Sequence, residues 1–129
     1  MSESGKQEIG TIGWIDLTTE DAKRVRDFYQ EVVGWKTSDV EMGEYNDFNI
    51  STPETGEPVA GVCHARGSNA QMPPQWMIYI TVENLDHSAR RCTNLGGRLV
   101  VQPKPMGSFG RYCVIEDPAG AVAALFEPA

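Results

Sequence analysis

Few side chains in this chain of 129 residues are of types that do chemistry, and their spacing limits what that chemistry can be. Asp16 sits in the alternating run Ile12 to Thr18, where Ile15 and Leu17 point to one face and Trp14, Asp16 and Thr18 to the other. A carboxylate on an enclosed strand face can anchor a cationic ligand, or act as a general base once an apolar setting raises its pKa. The plainer alternative is that it reaches solvent or pairs with an arginine. Tyr79 has the matching place in Trp76 to Val82, where its hydroxyl can donate a hydrogen bond or a proton, or sit in water above a packed ring. Trp14, Trp76, Met77 and Phe126 are an aromatic and thioether set suited to a flat or apolar ligand, although such side chains also fill ordinary cores. Arg111 follows a Gly-rich loop, Pro105 to Gly110, that carries Phe109. A loop of that kind beside a guanidinium can close over an anionic substrate, and simple mobility is the plainer reading.

Several chemistries are set aside at this level. His64 ends a strand out of phase with Gly61, and His87 falls in the first turns of a helix, so the two do not meet in a two-His-one-carboxylate iron site. Both read as solvated surface histidines. Cys63 reads as an inert thiol. No nucleophile–base pair, phosphate-cradling glycine loop or zinc-knuckle spacing occurs in the chain. A net charge of −7 repels a nucleic-acid backbone or an anionic membrane, and no apolar run approaches the length needed to span a bilayer. The polar opening from Met1 to Gly10 predicts no secretory leader, and three cysteines fit a reduced cytoplasm better than a disulfide framework.

The elements that must position these residues come in two similar sets. Trp14 to Asp21 returns as Met77 to Asn84, an offset of 63 that also carries Gly34 onto Gly97, Val59 onto Val122 and Val62 onto Leu125. In the first set, a strand over Ile12 to Thr18 leads to a helix with Ala22, Val25, Phe28, Tyr29 and Val32 at helical spacing. Thr18 and Asp21 are its expected capping pair and Gly34 its left-handed stop. Strands follow over Lys36 to Val40, Tyr45 to Ser51 and Pro58 to Cys63. In the second set, Asn84 caps a helix with the stripe Leu85, Ala89, Cys92 and Leu95. Strands are expected over Arg98 to Gln102, Arg111 to Ile115 and Ala121 to Phe126, the last two joined by the turn Asp117-Pro118-Ala119-Gly120. Each set is βαβββ, so the fold class is α+β: two tandem modules whose curved sheets enclose a shared cleft, with helices on the outer faces. The expected boundaries are a disordered tail over 1–9 and a single domain over 10–129, divided into module one (10–65), a linker (66–74) and module two (75–127).

With those elements in place, the chain resembles the vicinal oxygen chelate superfamily, which includes glyoxalase I, ring-cleaving extradiol dioxygenases and bleomycin-resistance proteins. The likeness rests on Asp21, Phe28-Tyr29, Val32-Val33-Gly34-Trp35, Gly96-Gly97 and Glu116-Asp117-Pro118-Ala119-Gly120-Ala121. It implies a fold that hosts lyases, oxygenases, isomerases and simple binders, so activity is left open. The metal-dependent members place four ligands on the first and last strand of each module. Those positions are Trp14, Gly61, Met77 and Ala124 in this chain, and none offers an imidazole, carboxylate or amide oxygen. No metal and no cofactor are therefore expected.

The reading that follows is a metal-independent small-molecule binding protein of the bleomycin-resistance type. Its ligand is expected in the cleft, against Trp14, Asp16, Gly61, Met77, Tyr79, Phe109, Arg111, Ala124 and Phe126. The alternative is a glyoxalase-like lyase or other small-molecule enzyme, either metal-free with Asp16 or Tyr79 moving a proton or with a non-standard metal site. Exposed sheet edges and the family's habit of pairing imply a homodimer.

Overall fold

The computed structural model describes residues 7–129, and the part of the expected tail over 1–6 lies outside them. The element order is β1 (Ile12–Thr19), α1 (Ala22–Val33), β2 (Lys36–Glu41), β3 (Asn46–Ser51), β4 (Pro58–His64), β5 (Trp76–Thr81), α2 (Leu85–Asn94), β6 (Arg98–Met106), β7 (Gly110–Glu116) and β8 (Val122–Pro128). This is βαβββ twice. A short 3-10 turn, Gly67–Asn69, lies in the linker. No helix among the described residues is long and apolar enough to cross a membrane.

The chain divides into two compact units, residues 15–76 and residues 77–129 with the segment before Ile15. In the first, the strands run β2-β3-β4-β1. β2, β3 and β4 are antiparallel neighbours, and β1 lies parallel to β4 with Asp16 opposite Gly61 and Leu17 opposite Val62. Leu17, Phe48, Ile50, Ala60 and Val62 share one face by this register. Phe48, Ile50, Ala60 and Val62 are buried with Ala22 of α1, and Trp35 and Trp76 pack at the edge of that cluster. Trp76 is fixed there by its indole N–H, which donates to the Tyr29 hydroxyl at 3.1 Å.

In the second unit, the order is β5-β8-β7-β6. Leu85 of α2 is fully buried with Cys113 and Leu125, and Ile80, Val82, Leu99 and Ile115 surround them. At the other end of the unit, Gln7 accepts a hydrogen bond from the Thr81 hydroxyl at 2.5 Å.

Local chemistry explains most helix and turn boundaries. Gly34 adopts φ 84° and ends α1, its N–H reaching the Gln30 carbonyl. Asn84 caps α2 by accepting the His87 N–H at 3.0 Å. Asp117 holds its turn by accepting the N–H groups of Ala119 and Ala121. Three expectations need correction. The Thr18–Asp21 capping pair does not form: β1 continues through Thr19, and the Asp21 side chain makes no capping bond. β6 extends to Met106, so Pro103 and Pro105 lie within a strand and the loop shrinks to a turn at 107–109. An edge strand with irregular register tolerates prolines there, because its outer N–H groups have no ladder to complete. Finally, Phe28 and Val32 of the α1 apolar set are 55% and 62% exposed instead of buried.

Candidate functional site

In each unit, the helix covers one sheet face, and the residues singled out for chemistry lie largely on the other. In the first unit, Asp16 pairs with Gly61 and Thr18 with Cys63, which places these four on the face opposite Leu17 and Val62. Asp47 joins them, because Phe48 sits opposite Val62 and its neighbour therefore faces the other way. In the second unit, Tyr79 pairs with Ala124 and Thr81 with Phe126. Tyr112 pairs with Phe126 and Val114 with Ala124 on the same face. The Tyr79 and Tyr112 rings are 6.4 Å apart, and the Lys104 ammonium lies 5.4 Å from the Tyr112 ring centre.

The two kinds of face differ in chemistry. Asp16, Thr18, Asp47 and Thr81 are the buried polar residues of the described chain, and by register all four lie on helix-free faces. The helix-covered faces form apolar clusters. Burying a carboxylate is costly unless it is engaged, so such groups are retained for a reason other than packing alone. Asp47 is engaged by His64: its carboxylate accepts the His64 backbone N–H at 2.8 Å and lies 3.3 Å from Nδ1. The imidazole also packs against the rings of Tyr45 and Phe48. His64 is thus half-buried and buttressed, not a solvated surface group as expected. His87 is exposed on the first turn of α2.

Of the expected site residues, Met77, Tyr79, Ala124 and Phe126 are brought onto one face, and Asp16 and Gly61 onto another. Met77, Tyr79 and Ala124 are buried, and Trp14 and Phe126 are half-buried. Phe109 and Arg111 lie on neither face. Phe109 is 72% exposed in the turn before β7. Arg111 points to the α2 side and forks onto Asp86 with contacts of 3.0 and 3.2 Å. That fork holds the Asp86 carboxyl below its ordinary pKa and raises the guanidinium's. Arg111 and Asp86 line an open groove of about 640 Å³ beside α2, with Arg90, Leu99 and Pro103. A smaller groove of about 260 Å³ lies at the start of α1, where Thr18, Asp21 and Met72 contribute. Strand alternation also assigns Thr81 to a helix-free face. The sequence reading has no place there for Asp47 or Tyr112, although alternation carried on from Phe48 and Cys113 points to each of them.

Two thiols are held protonated. Burial, then the negative charges of Asp16 and Asp47, then a hydrogen bond to Asp47 push Cys63 well above the usual thiol range. Burial, reinforced by Cys92 and Asp86, pushes Cys113 up to about 11. At pH 8, a thiol reagent is therefore expected to modify Cys92 in the folded protein, and Cys63 and Cys113 only after unfolding, as mass spectrometry of labelled peptides would show. Equal native labelling of all three would contradict the burial argument. The sign for stability follows from the raised values. Above pH 9, the unfolded thiols ionise while the folded ones keep their protons, so stability falls as pH rises toward 11 and beyond.

The four positions that the resemblance assigns to metal ligands carry an indole, a glycine, a thioether and a methyl group: Trp14, Gly61, Met77 and Ala124. These do not fit a zinc, nickel or iron centre. Among the described residues, no group of three His, Cys, Asp or Glu side chains is placed to hold a metal ion.

Paired βαβββ units of this kind define a class, and residues 11–125 match the family model of the Glyoxalase/Bleomycin resistance protein/Dioxygenase superfamily. The chain belongs to that family. It is 29% identical over 122 residues to "Putative glyoxylase CFP32" of Mycobacterium tuberculosis, a match covering 95% of this chain and 46% of that protein. Anthracycline biosynthesis protein DnrV of Streptomyces peucetius is 29% identical over 132 residues, covering 91% of this chain and 46% of DnrV. The chain spans about half the length of these curated relatives. Among solved structures, methylmalonyl-CoA epimerase from Mycobacterium tuberculosis superposes with a TM-score of 0.56 at 16% identity, covering 98% of this chain and 96% of the epimerase. That likeness is one of fold.

Proposed function

We propose that this chain is a metal-independent small-molecule binding protein that holds its ligand on the helix-free sheet faces. The single observation that supports this most is the segregation of buried polar groups. Asp16, Thr18, Asp47 and Thr81 lie away from the helices, beside the positions that the resemblance assigns to metal ligands. A face kept only for packing would follow the helix-covered faces and be apolar. In the unit of residues 15–76, Asp16 offers an anionic contact; in the other unit, Met77, Tyr79 and Phe126, with Trp14, offer aromatic and thioether surface. The ligand class that fits is a flat or apolar body carrying a cationic or hydrogen-bond-donating group.

Asp16 or Tyr79 also favours a second reading, in which one of them moves a proton on a bound carbonyl or epoxide. One substitution separates the two. For a binder, Asp16→Asn is expected to weaken binding of an aromatic amine such as tyramine by about tenfold, the loss of one charge-assisted contact. For an enzyme, the same change removes turnover by orders of magnitude while leaving substrate binding nearly intact. Calorimetric titration before and after treatment with a chelator tests metal independence. Near-stoichiometric nickel, zinc or iron in the purified protein, with binding abolished by the chelator, would sink the proposal.

A further inference from the structure

We infer that the groove between α2 and β6 is a binding site for an organic acid, a carboxylate carried on an extended apolar body. The site is separate from the helix-free sheet faces and lies wholly within the second unit. Asp86, Ala89, Arg90, Thr93 and Asn94 recur at intervals of three and four, so one face of α2 forms a wall along its length. At the helical rise per residue, Asp86 to Asn94 spans about 12 Å. The volume of about 640 Å³ falls in the range of small-molecule sites.

The opposite wall is opened by an irregularity in β6. Its pairing with β7 shifts register between Val101 and Lys104, and Gln102 and Pro103 fall in that gap. Both line the groove. A bulge re-aims side chains that a regular ladder would stack over the neighbouring strand. The floor is apolar: Leu99 packs against the buried Leu85 cluster, and Ala89 is itself buried. Pro103 brings no N–H to it.

The charges select an acid. The lining holds two guanidiniums, Arg90 and Arg111, and one carboxylate, Asp86. Asp86 takes the Arg111 fork at 3.0 and 3.2 Å and so fixes its plane. That fork uses two of the five guanidinium N–H donors, so Arg111 keeps donors for a second oxyanion. Arg90 is exposed one turn further along α2, and its charge also lowers the Asp86 pKa. Glu127, the other carboxylate that acts on Arg111, is outside the lining and accepts the Leu85 N–H at 2.7 Å. A surplus of positive charge in this groove, on a chain of net charge −7, draws an acid here and away from the rest of the surface. Inorganic oxyanions meet the same guanidiniums but leave the floor uncovered, so the apolar body adds affinity. The anion contact expected of Arg111 therefore belongs to the helix side of the sheet.

Titration of the isotope-labelled chain with octanoate, followed by amide chemical shifts, tests this. Octanoate is expected to saturate with a dissociation constant of about 1 mM, moving the amides of Ala89, Arg90, Leu99 and Gln102. Inorganic phosphate at the same ionic strength is expected to bind about tenfold more weakly, and tyramine to leave these amides unmoved. Arg90→Glu is expected to weaken octanoate by about tenfold or more, and Arg90→Lys by less, with the fold verified by circular dichroism. Should Arg90→Glu disturb the helix, Gln102→Glu brings the same repulsion from the β6 wall. Octanoate that moves none of these amides overturns the inference, as does octanoate that moves only those of the helix-free faces. Phosphate binding as tightly as octanoate reduces the site to a diffuse cationic patch and overturns it too. So does an affinity that neither acidic variant changes.

Discussion

Replacing Gly110 by alanine is expected to destabilise the protein by about 3–5 kcal/mol, an effect large enough to leave little folded material in a domain of ordinary stability. Gly110 opens β7 and pairs with Pro128 of β8 at φ 148°. A methyl group built on its Cα would run into the Glu127 carbonyl and meet the Ala129 backbone nitrogen at 2.9 Å. Those obstacles are main-chain atoms of a paired strand, so no side chain can swing aside to relieve them. Gly120 is the control. It has φ 94° in the turn before β8, and an added Cβ would meet nothing within 4 Å. Gly120→Ala should cost only the backbone strain, about 1–2 kcal/mol. Chemical denaturation of the two variants checks the ranking, and similar losses at both positions would show that steric contact with β8 is not the dominant effect.

Leu85→Ala is expected to cost about 3–4 kcal/mol, and Leu95→Ala less than about 1 kcal/mol, though both belong to one stripe in the sequence. Leu85 is fully buried against Cys113 and Leu125, and close packing there leaves a cavity when the side chain is shortened. Its backbone N–H donates to the Glu127 carboxylate at 2.7 Å, a bond that alanine keeps, so the loss reports packing alone. Leu95 lies past the last turn of α2 and is 64% exposed. Urea midpoints at constant slope would separate the two. A Leu95 variant as unstable as the Leu85 variant would mean that α2 is anchored from its C-terminal end instead.

These contrasts show how far pattern alone carries. Alternation placed Asp16 with Thr18 and Tyr79 with Phe126, and the strand register keeps each pair on one face. Gly34, Asn84 and the Asp117 turn were legible because each is a local device, made of a left-handed glycine or a side chain bonding its own backbone. The capping role expected of Thr18 failed because strand pairing to Cys63 claims that residue first. The loop before Arg111 is shorter than expected for a related reason: β6 runs on through two prolines, and the guanidinium bonds Asp86 on α2.

The sequence by itself determined the duplication, the βαβββ order, which residues share a strand face, and the absence of metal donors at Trp14, Gly61, Met77 and Ala124. Each of these depends only on residue type and on spacings of two, three or four. Tertiary structure alone decided that Asp47 rather than solvent receives His64, that Phe28 and Val32 stay exposed, and that all the buried polar residues of the described chain turn away from the helices. Periodicity fixes which side chains travel together, but which face finds a partner depends on residues distant in the chain that come together only on folding.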